Sequence, residues 1–282
     1  MAERIVERLI RERDTRYGDG IYTTTQIQFA WNSNHMEGST LTAKQTAQLF
    51  ATGTYTTDGS EQVNPDDALE TRNHFAAFRW ILDHADEPVD RDMVCHLHAI
   101  LKQGTRQVSD SLFNVGGYKT RPNFIGNPVT PTRTALPQDV PEFMDRLFDM
   151  CTKLEDEPYQ IARVHWTFEK IHPFSDGNGR IGRLIMFKEC LKYNIVPFII
   201  EENLKLFYYR GLKEWYNETR TMTNGIWLSI GWNEMRIWNS PSSSTRRPSR
   251  CSMRSISSAN GSYGANSGPT VLLWWFLLPN VT

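Results

Sequence analysis

The chain has 282 residues, 39% of them hydrophobic and 22% charged, which is ordinary for a soluble globular protein and long enough for a core that needs no staples. Lys and Arg total 31 against 32 Asp and Glu, so a net charge of −1 gives no reason to expect a nucleic-acid-binding or polybasic membrane-binding protein. The four cysteines, Cys95, Cys151, Cys190 and Cys251, have no C-x-x-C spacing, which argues against a zinc ribbon or a disulfide framework and fits a reducing compartment. The N-terminal residues are charged throughout and carry no secretory apolar region, so a cytoplasmic location is expected.

In chain order, the first feature is the stretch Trp31-Asn-Ser-Asn-His-Met-Glu-Gly-Ser-Thr40. Ser33 and Glu37 are four apart and share a face on a helix, with Gly38 as a natural C-terminal stop. A carboxylate presented at such an end can pair with an arginine. A helix over 68–83 follows, with Leu69, Phe75, Phe78, Ile81 and Leu82 near one stripe. Another covers 91–101, with Val94, Leu97 and Leu101; His96 and His98 fall on different faces, a poor arrangement for a shared metal. An extended segment over 115–125 is bounded by the Gly116-Gly117 pair and Gly126. Further helices are expected over 137–150, which has a proline in its first turn, and over 161–171, 181–193 and 204–215. The fold class is therefore all-α, a helical bundle with one small β-hairpin.

The chain changes character near its end. No acidic residue follows Glu234 and five arginines do, so the body before it nets −6. Ten of the 24 residues from Ser240 to Tyr263 are serine, a composition that cannot bury enough apolar area to order itself. The apolar run 271–278 is far shorter than the ~20 residues a membrane span needs. Three regions are expected: a helical N-terminal part over 1–65, a catalytic core over 66–218, and a divergent, poorly ordered tail over 219–282, whose composition also suits a shifted reading frame.

One segment outweighs the rest: Ile171-His-Pro-Phe-Ser-Asp-Gly-Asn-Gly-Arg-Ile-Gly-Arg183. It joins two helical patterns. Its Asp176-Gly-Asn-Gly179 turn is rich in backbone N–H groups and leads into a helix N-terminus, where the macrodipole adds about half a positive charge. Arg180 and Arg183, three apart, share a face of that helix, and forked guanidinium donors suit phosphate oxygens. An aspartate amid these cations points to a hard divalent ion such as Mg²⁺, which commonly takes one carboxylate plus substrate phosphates. A nucleoside triphosphate with Mg²⁺ is the ligand these features suit together. His172 beside the turn can take a proton from a hydroxyl at neutral pH.

This motif resembles the HPFx(D/E)GNGRxxR signature of Fic-domain proteins at every defining position. The resemblance implies an all-α fold whose members transfer AMP from ATP to a hydroxyl side chain of a target protein. It implies His172 as the general base and Asp176 as the carboxylate holding Mg²⁺ on the α- and β-phosphates. Asn178, with the backbone of Gly177 and Gly179, would cradle phosphate oxygens; Arg180 would grip the β-phosphate and Arg183 the γ-phosphate. Residues 117–126 are similar to the family's flap, which docks the target chain as an added strand, so Lys119, Thr120, Arg121, Asn123 and Ile125 are expected there. Tyr208 and Tyr209 resemble the aromatic pair near the base and ribose; being adjacent on a helix they point apart, so at most one should touch nucleotide. The stretch from Ser33 to Gly38 looks like the (S/T)xxxE(G/N) inhibitory helix, in which Glu37 would pair with Arg183 and block productive ATP binding. The resemblance runs from about residue 21 to 215.

It implies ATP and a target protein as partners, with no nucleic acid and no membrane, and is compatible with a homodimer. Removal of AMP, with Glu37 positioning water, is a known alternative within the family. Transfer of UMP or phosphocholine on the same fold is a second, decided by the base pocket. A binding module without turnover is a third, disfavoured because a binder needs neither the base nor the metal carboxylate. The acidic body disfavours a nucleic-acid-acting toxin.

Overall fold

The computed structural model describes residues 3–57, 59, 63–126, 131–154 and 158–221, with side chains as far as 215. The serine-rich stretch, the apolar run and Cys251 lie outside the described residues. Met1–Tyr209 forms one compact unit. A second, Arg210–Thr282, is described only as the continuation of the last helix.

The first unit is helical. Helix α1 (Ile5–Asp14) is followed by α2 (Ile21–Met36), α3 (Ala43–Thr52), α4 (Pro65–Asp83) and α5 (Arg91–Lys102). After a two-stranded hairpin come α6 (Val140–Thr152), α7 (Pro158–Ile171), α8 (Asn178–Lys192) and α9 (Lys205–Thr221). Local chemistry sets several of the boundaries. Thr42 and Gln45 cap α3 reciprocally, the Thr42 side chain accepting from the Gln45 N–H at 3.2 Å and the Gln45 side chain from the Thr42 N–H at 2.9 Å. Helix α4 starts on a proline behind the Asn64 cap, and Asp90 caps α5 by accepting from the Met93 N–H at 2.8 Å.

The core is organised around α8, which contacts α7, α4, α5, α2 and α1. Every residue from Asn178 to Leu191 is buried, including four that are charged. Phe187 stacks on Phe29 of α2 at 5.0 Å between ring centroids and meets Phe78 of α4 edge-on at 5.2 Å. These aromatic contacts fix α2 and α4 against the helix that carries both motif arginines. Helices α1 to α3 thus belong to the same packed body as the motif. Asn73 ties the end of α5 down, donating from Nδ2 to the carbonyls of Leu101 (3.0 Å) and Gln103 (2.7 Å).

The hairpin is smaller than expected. Strand β1 (Phe124–Ile125) pairs antiparallel with β2 (Thr132–Arg133), Phe124 opposite Arg133 and Ile125 opposite Thr132. The extended segment anticipated over 115–125 is mostly turn: Asn114 and Gly116 are both left-handed, and only its last two residues pair. Among the described residues no helix is long and apolar enough to cross a membrane.

Candidate active site

Helix α7 ends at the motif because the residue before a proline is pushed out of the α region. His172 takes φ +52°, a sparsely populated conformation for a side-chain-bearing residue, between α7 and Pro173. Its N–H still closes the helix on the Phe168 carbonyl at 2.9 Å. Its Nδ1 lies 3.3 Å from the Glu169 carbonyl, which can only accept, so Nδ1 carries the proton and Nε2 keeps the lone pair. Burial, helped by the Lys119 ammonium, pushes the ring down to about 4, so it is neutral at pH 7. A neutral imidazole with a free Nε2 is in the protonation state of a general base.

The turn after it is held from within. Phe174 is fully buried and stacks on the His98 ring at 4.0 Å. The Asn178 side chain accepts from the Phe174 N–H and donates to the Phe174 carbonyl, both at 2.8 Å. Gly177 has φ +82°, and a Cβ there would press on Leu101 and Lys102 at 3.2 Å, so glycine is required. A Cβ on Gly179 would collide with Oε1 of Glu37. The Glu37 carboxylate therefore rests directly against the first turn of α8, where an anion is favoured.

Both arginines are buried and occupied. Arg183, 1% exposed, donates from Nε to the Ser33 hydroxyl (3.0 Å) and from one terminal nitrogen to the Ser33 carbonyl and to Glu37 (both 2.8 Å). Its other terminal nitrogen has no hydrogen-bond partner. Burial alone would raise the Glu37 carboxyl, but Arg183 and Arg180 outweigh it and hold the group below the usual range. Arg180 pairs with Glu70 of α4 and approaches Asn34 of α2 at 3.4 Å. Its Nε is buried and unpartnered.

Asp176 is held by three neighbours. Lys102 of α5 donates to its Oδ2 at 2.5 Å, Gln107 to the same oxygen at 2.8 Å, and the Gly177 N–H to Oδ1 at 2.7 Å. Despite partial burial, Lys102 and Arg180 drive its carboxyl well below the ordinary range. The same Lys102 ammonium pairs with Glu70, so Asp176, Lys102, Glu70 and Arg180 form a continuous chain of charges. A cavity of about 180 Å³ opens beside them, bordered by Glu37, Glu70, Asp176 and Arg180.

The profile of the Fic/DOC family matches residues 88–190, which span α5, the hairpin, the whole of this loop and all but the last two residues of α8. Residues 88–190 are a Fic/DOC-family domain. Over 197 residues the chain is 26% identical to a protein of Nematostella vectensis named protein adenylyltransferase Fic, covering 67% of this chain and 43% of that one. It is 23% identical over 198 residues to protein adenylyltransferase fic-1 of Caenorhabditis elegans, covering 67% of this chain and 36% of that one. The chain thus spans less than half the length of these relatives. A solved Fic domain containing signaling protein from Bacteroides thetaiotaomicron superposes with a TM-score of 0.60 at 27% identity, covering 74% of this chain and 80% of that one. A Fic family protein from Desulfovibrio desulfuricans, at 22% identity and a TM-score of 0.55, covers 77% of this chain and 68% of that one and shares the fold.

The structure sets Glu37, Asp176 and Arg180 around one cavity and holds Arg183 on Ser33 and Glu37, with His172 at the head of the same loop; Ser33 and Glu37 reach it from outside residues 88–190, nearly 140 residues upstream. Three expectations need correction. The Asn178 side chain puts its carbonyl and one of its two N–H donors on Phe174 and is buried, so it clamps the turn from within. Lys119 is 2% exposed: its ammonium is buried against Asn123 (2.7 Å), the Thr134 hydroxyl (2.8 Å) and the Ile171 carbonyl (3.3 Å), and burial pushes it down to about 7. Asn123 likewise donates to the Phe174 carbonyl at 2.9 Å. These two residues fasten the flap to the His172-Pro173-Phe174 segment and are not offered to a target, whereas Thr120, Arg121 and Phe124 are exposed. Tyr208 and Tyr209 do diverge: Tyr208 Oη lies 2.8 Å from His165 Nε2, and Tyr209 donates to the Met36 carbonyl at 3.4 Å.

Glu70, Lys102, Gln107 and Asn34 are site residues that the motif does not name. The signal for Lys102 was present, since it continues the apolar face of α5 at four-residue spacing through Val94 and His98.

The residues fit a divalent cation. Asp176 is ionised and 41% exposed at the cavity mouth. Among the described residues no group of three or more His, Cys, Asp or Glu side chains could hold a metal unaided. A cation here would take its remaining oxygens from a bound nucleotide, as Mg²⁺ commonly does.

The buried ionisable groups also set the pH dependence of stability. Burial pushes His74, His98 and His165 down to about 3 from 6.5, so between these values the unfolded chain binds protons that the fold refuses. The stability they contribute is present above pH 6.5 and is lost as pH falls, by up to about 1.4 kcal/mol per pH unit for each. Burial pushes Glu169 up to about 8 from 4.5, and its contribution runs the other way, declining as pH rises through that window. Urea unfolding is expected to show a midpoint that falls steeply between about pH 7 and about pH 5, where four histidines, His172 at about 4 among them, outweigh one glutamate. A midpoint unchanged between these values would contradict the neutral buried histidines.

Proposed function

We propose that this protein is an autoinhibited protein adenylyltransferase, moving AMP from ATP to a hydroxyl side chain of a target protein, or of itself, and releasing pyrophosphate. The contact that carries this reading is Arg183 held by Ser33 and Glu37 within reach of the anion cradle that neutral His172 adjoins. An anion-binding helix end, two buried guanidiniums and a base in one loop suit nucleotide transfer better than any use of one of them alone. The relatives' name, protein adenylyltransferase, supports the same reading.

In this reading His172 Nε2 takes the proton of the target hydroxyl as its oxygen attacks the α-phosphorus. The new O–P bond forms while the bond to the bridging oxygen breaks, and pyrophosphate leaves with that electron pair. The N-terminus of α8, Arg180 and Arg183 stabilise the charge that builds on the phosphates. Asp176 would hold Mg²⁺ against the phosphates, where the ion supplies Lewis-acid neutralisation of the leaving group. The exposed backbone around Thr120 and Arg121 and the short β1 edge would receive the target chain as an added strand. Tyr209, 38% exposed at the end of α2, is the better placed of the two tyrosines to meet a base or ribose. A reducing, cytoplasmic setting belongs to this reading and suits the unpaired Cys95, Cys151 and Cys190.

The test is to incubate the Glu37→Gly protein with Mg²⁺ and, separately, ATP, UTP, GTP or CDP-choline, and to read mass shifts on the protein and on a cell lysate. A shift with ATP alone, of the mass of an AMP group, is expected. A shift with another donor would assign the fold to a different group, and loss of AMP from a pre-modified lysate would assign the reverse reaction.

A further inference from the structure

A cation on α5 that the motif does not account for lies against the loop from His172 to Gly179. Lys102 is fully buried at the end of α5, with its ammonium between Oε1 of Glu70 and Oδ2 of Asp176. We propose, building on the adenylyltransferase reading, that Lys102 is a resident cation at Asp176, a positioning residue that does part of the work otherwise left to the divalent ion and so makes nucleotide binding tolerant of metal depletion.

The charge balance of the cluster carries the argument. Three buried cations, Lys102, Arg180 and Arg183, face three carboxylates, Glu37, Glu70 and Asp176, so the resting cluster is neutral. Withdrawal of Glu37 leaves one positive charge in surplus among these six groups, which offsets the extra carboxylate on the cavity rim, where Asp66 and Asp67 stand with Arg106. Without Lys102 the same cluster would be neutral, and a triphosphate would then depend on the metal for its attraction. The ammonium also sits where two carboxylates converge, Glu70 from α4 and Asp176 from the turn before α8, an arrangement that without it would favour a divalent cation. Lys102 fixes that geometry structurally as well: its stem lies against Gly177, the left-handed residue that opens α8. Removing the ammonium leaves Glu70 paired with Arg180 and Asp176 bonded to Gln107, so each carboxylate keeps a partner and the fold has support for the change.

Calorimetry of ATP binding to the full-length Glu37→Gly protein, in Mg²⁺ and again in EDTA, tests this. With Lys102 present, EDTA is expected to weaken binding by less than tenfold. In Glu37→Gly/Lys102→Met the loss is expected to exceed a hundredfold. A second readout needs no nucleotide: Mn²⁺ is expected to raise the melting temperature of Lys102→Met and to leave that of the unaltered protein unchanged. ATP binding in Mg²⁺ that falls more than a hundredfold in EDTA while Lys102 is intact overturns the proposal, and this arm decides even if Lys102→Met does not fold. Equal metal dependence with and without Lys102 overturns it too. Absence of ATP binding under every condition is a different outcome, and it removes the adenylyltransferase reading together with this one.

Discussion

Replacing Glu37 by glycine is expected to raise AMP transfer roughly ten- to hundred-fold. The carboxylate is bonded to Arg183 at 2.8 Å and lies over the first turn of α8, so it holds the two places a terminal phosphate would need. A hydrogen bond between charged groups is worth about 1.5–3 kcal/mol, and each 1.4 kcal/mol is a factor of about ten in the competition for that arginine. Ser33 remains in the variant and continues to orient the Arg183 guanidinium through its hydroxyl and carbonyl, so the freed side chain stays aimed. Incorporation of radiolabelled AMP, compared at equal protein concentration, reads the effect. An unchanged rate would mean that Glu37 is not the brake.

The second large effect is expected at His172. Alanine there should lower AMP transfer about 10²- to 10⁴-fold in the Glu37→Gly background, the span usual for loss of a general base. Binding of ATP should hardly change, because the imidazole contacts neither arginine and the anion cradle is built by the turn, α8 and their partners. A fall in affinity that matched the fall in rate would instead give the ring a binding role. Burial keeps it neutral down to about pH 4, so the acid limb of the Glu37→Gly rate profile should lie well below the ordinary histidine value. A limb near 6.5 would mean that the ring is solvated in the working state.

What the sequence disclosed depended on whether a signal was local. Helices α4, α5 and α6 each bury one face, and their stripes of Phe, Leu and Val were readable at helical spacing. Helix α2 buries Tyr22, Gln26, Phe29, Ser33 and Met36 along one face at helical spacing, but Gln26, Ser33 and the flanking Asn32 and Asn34 are polar, so no apolar stripe shows and only its C-terminal end could be recognised. Helix α3 was not anticipated, although Thr42 and Gln45 stand in capping-box spacing, a cue that lies in side-chain types rather than hydropathy. In the site, the loop residues were legible because turn, glycines and arginines are contiguous. Glu70 was not, and for Lys102 only its place on the apolar face of α5 was readable, because both meet the loop only when α4 and α5 pack on α8. The direction of Lys119 could not be read either, since a lysine in a flap is ordinarily solvated, and this one is drawn inward by three oxygen acceptors.

In the proposed function, autoinhibition and nucleotide transfer both turn on a competition at Arg183, which can be measured without a target protein. Titration calorimetry with Mg²⁺ should compare ATP and ADP on the unaltered chain and on Glu37→Gly. The unaltered chain is expected to bind the two alike, because the third phosphate finds its arginine taken; after the substitution ATP is expected to bind at least ten times more tightly than ADP. No preference for ATP once Glu37 is gone, or no binding of either nucleotide, would contradict the account.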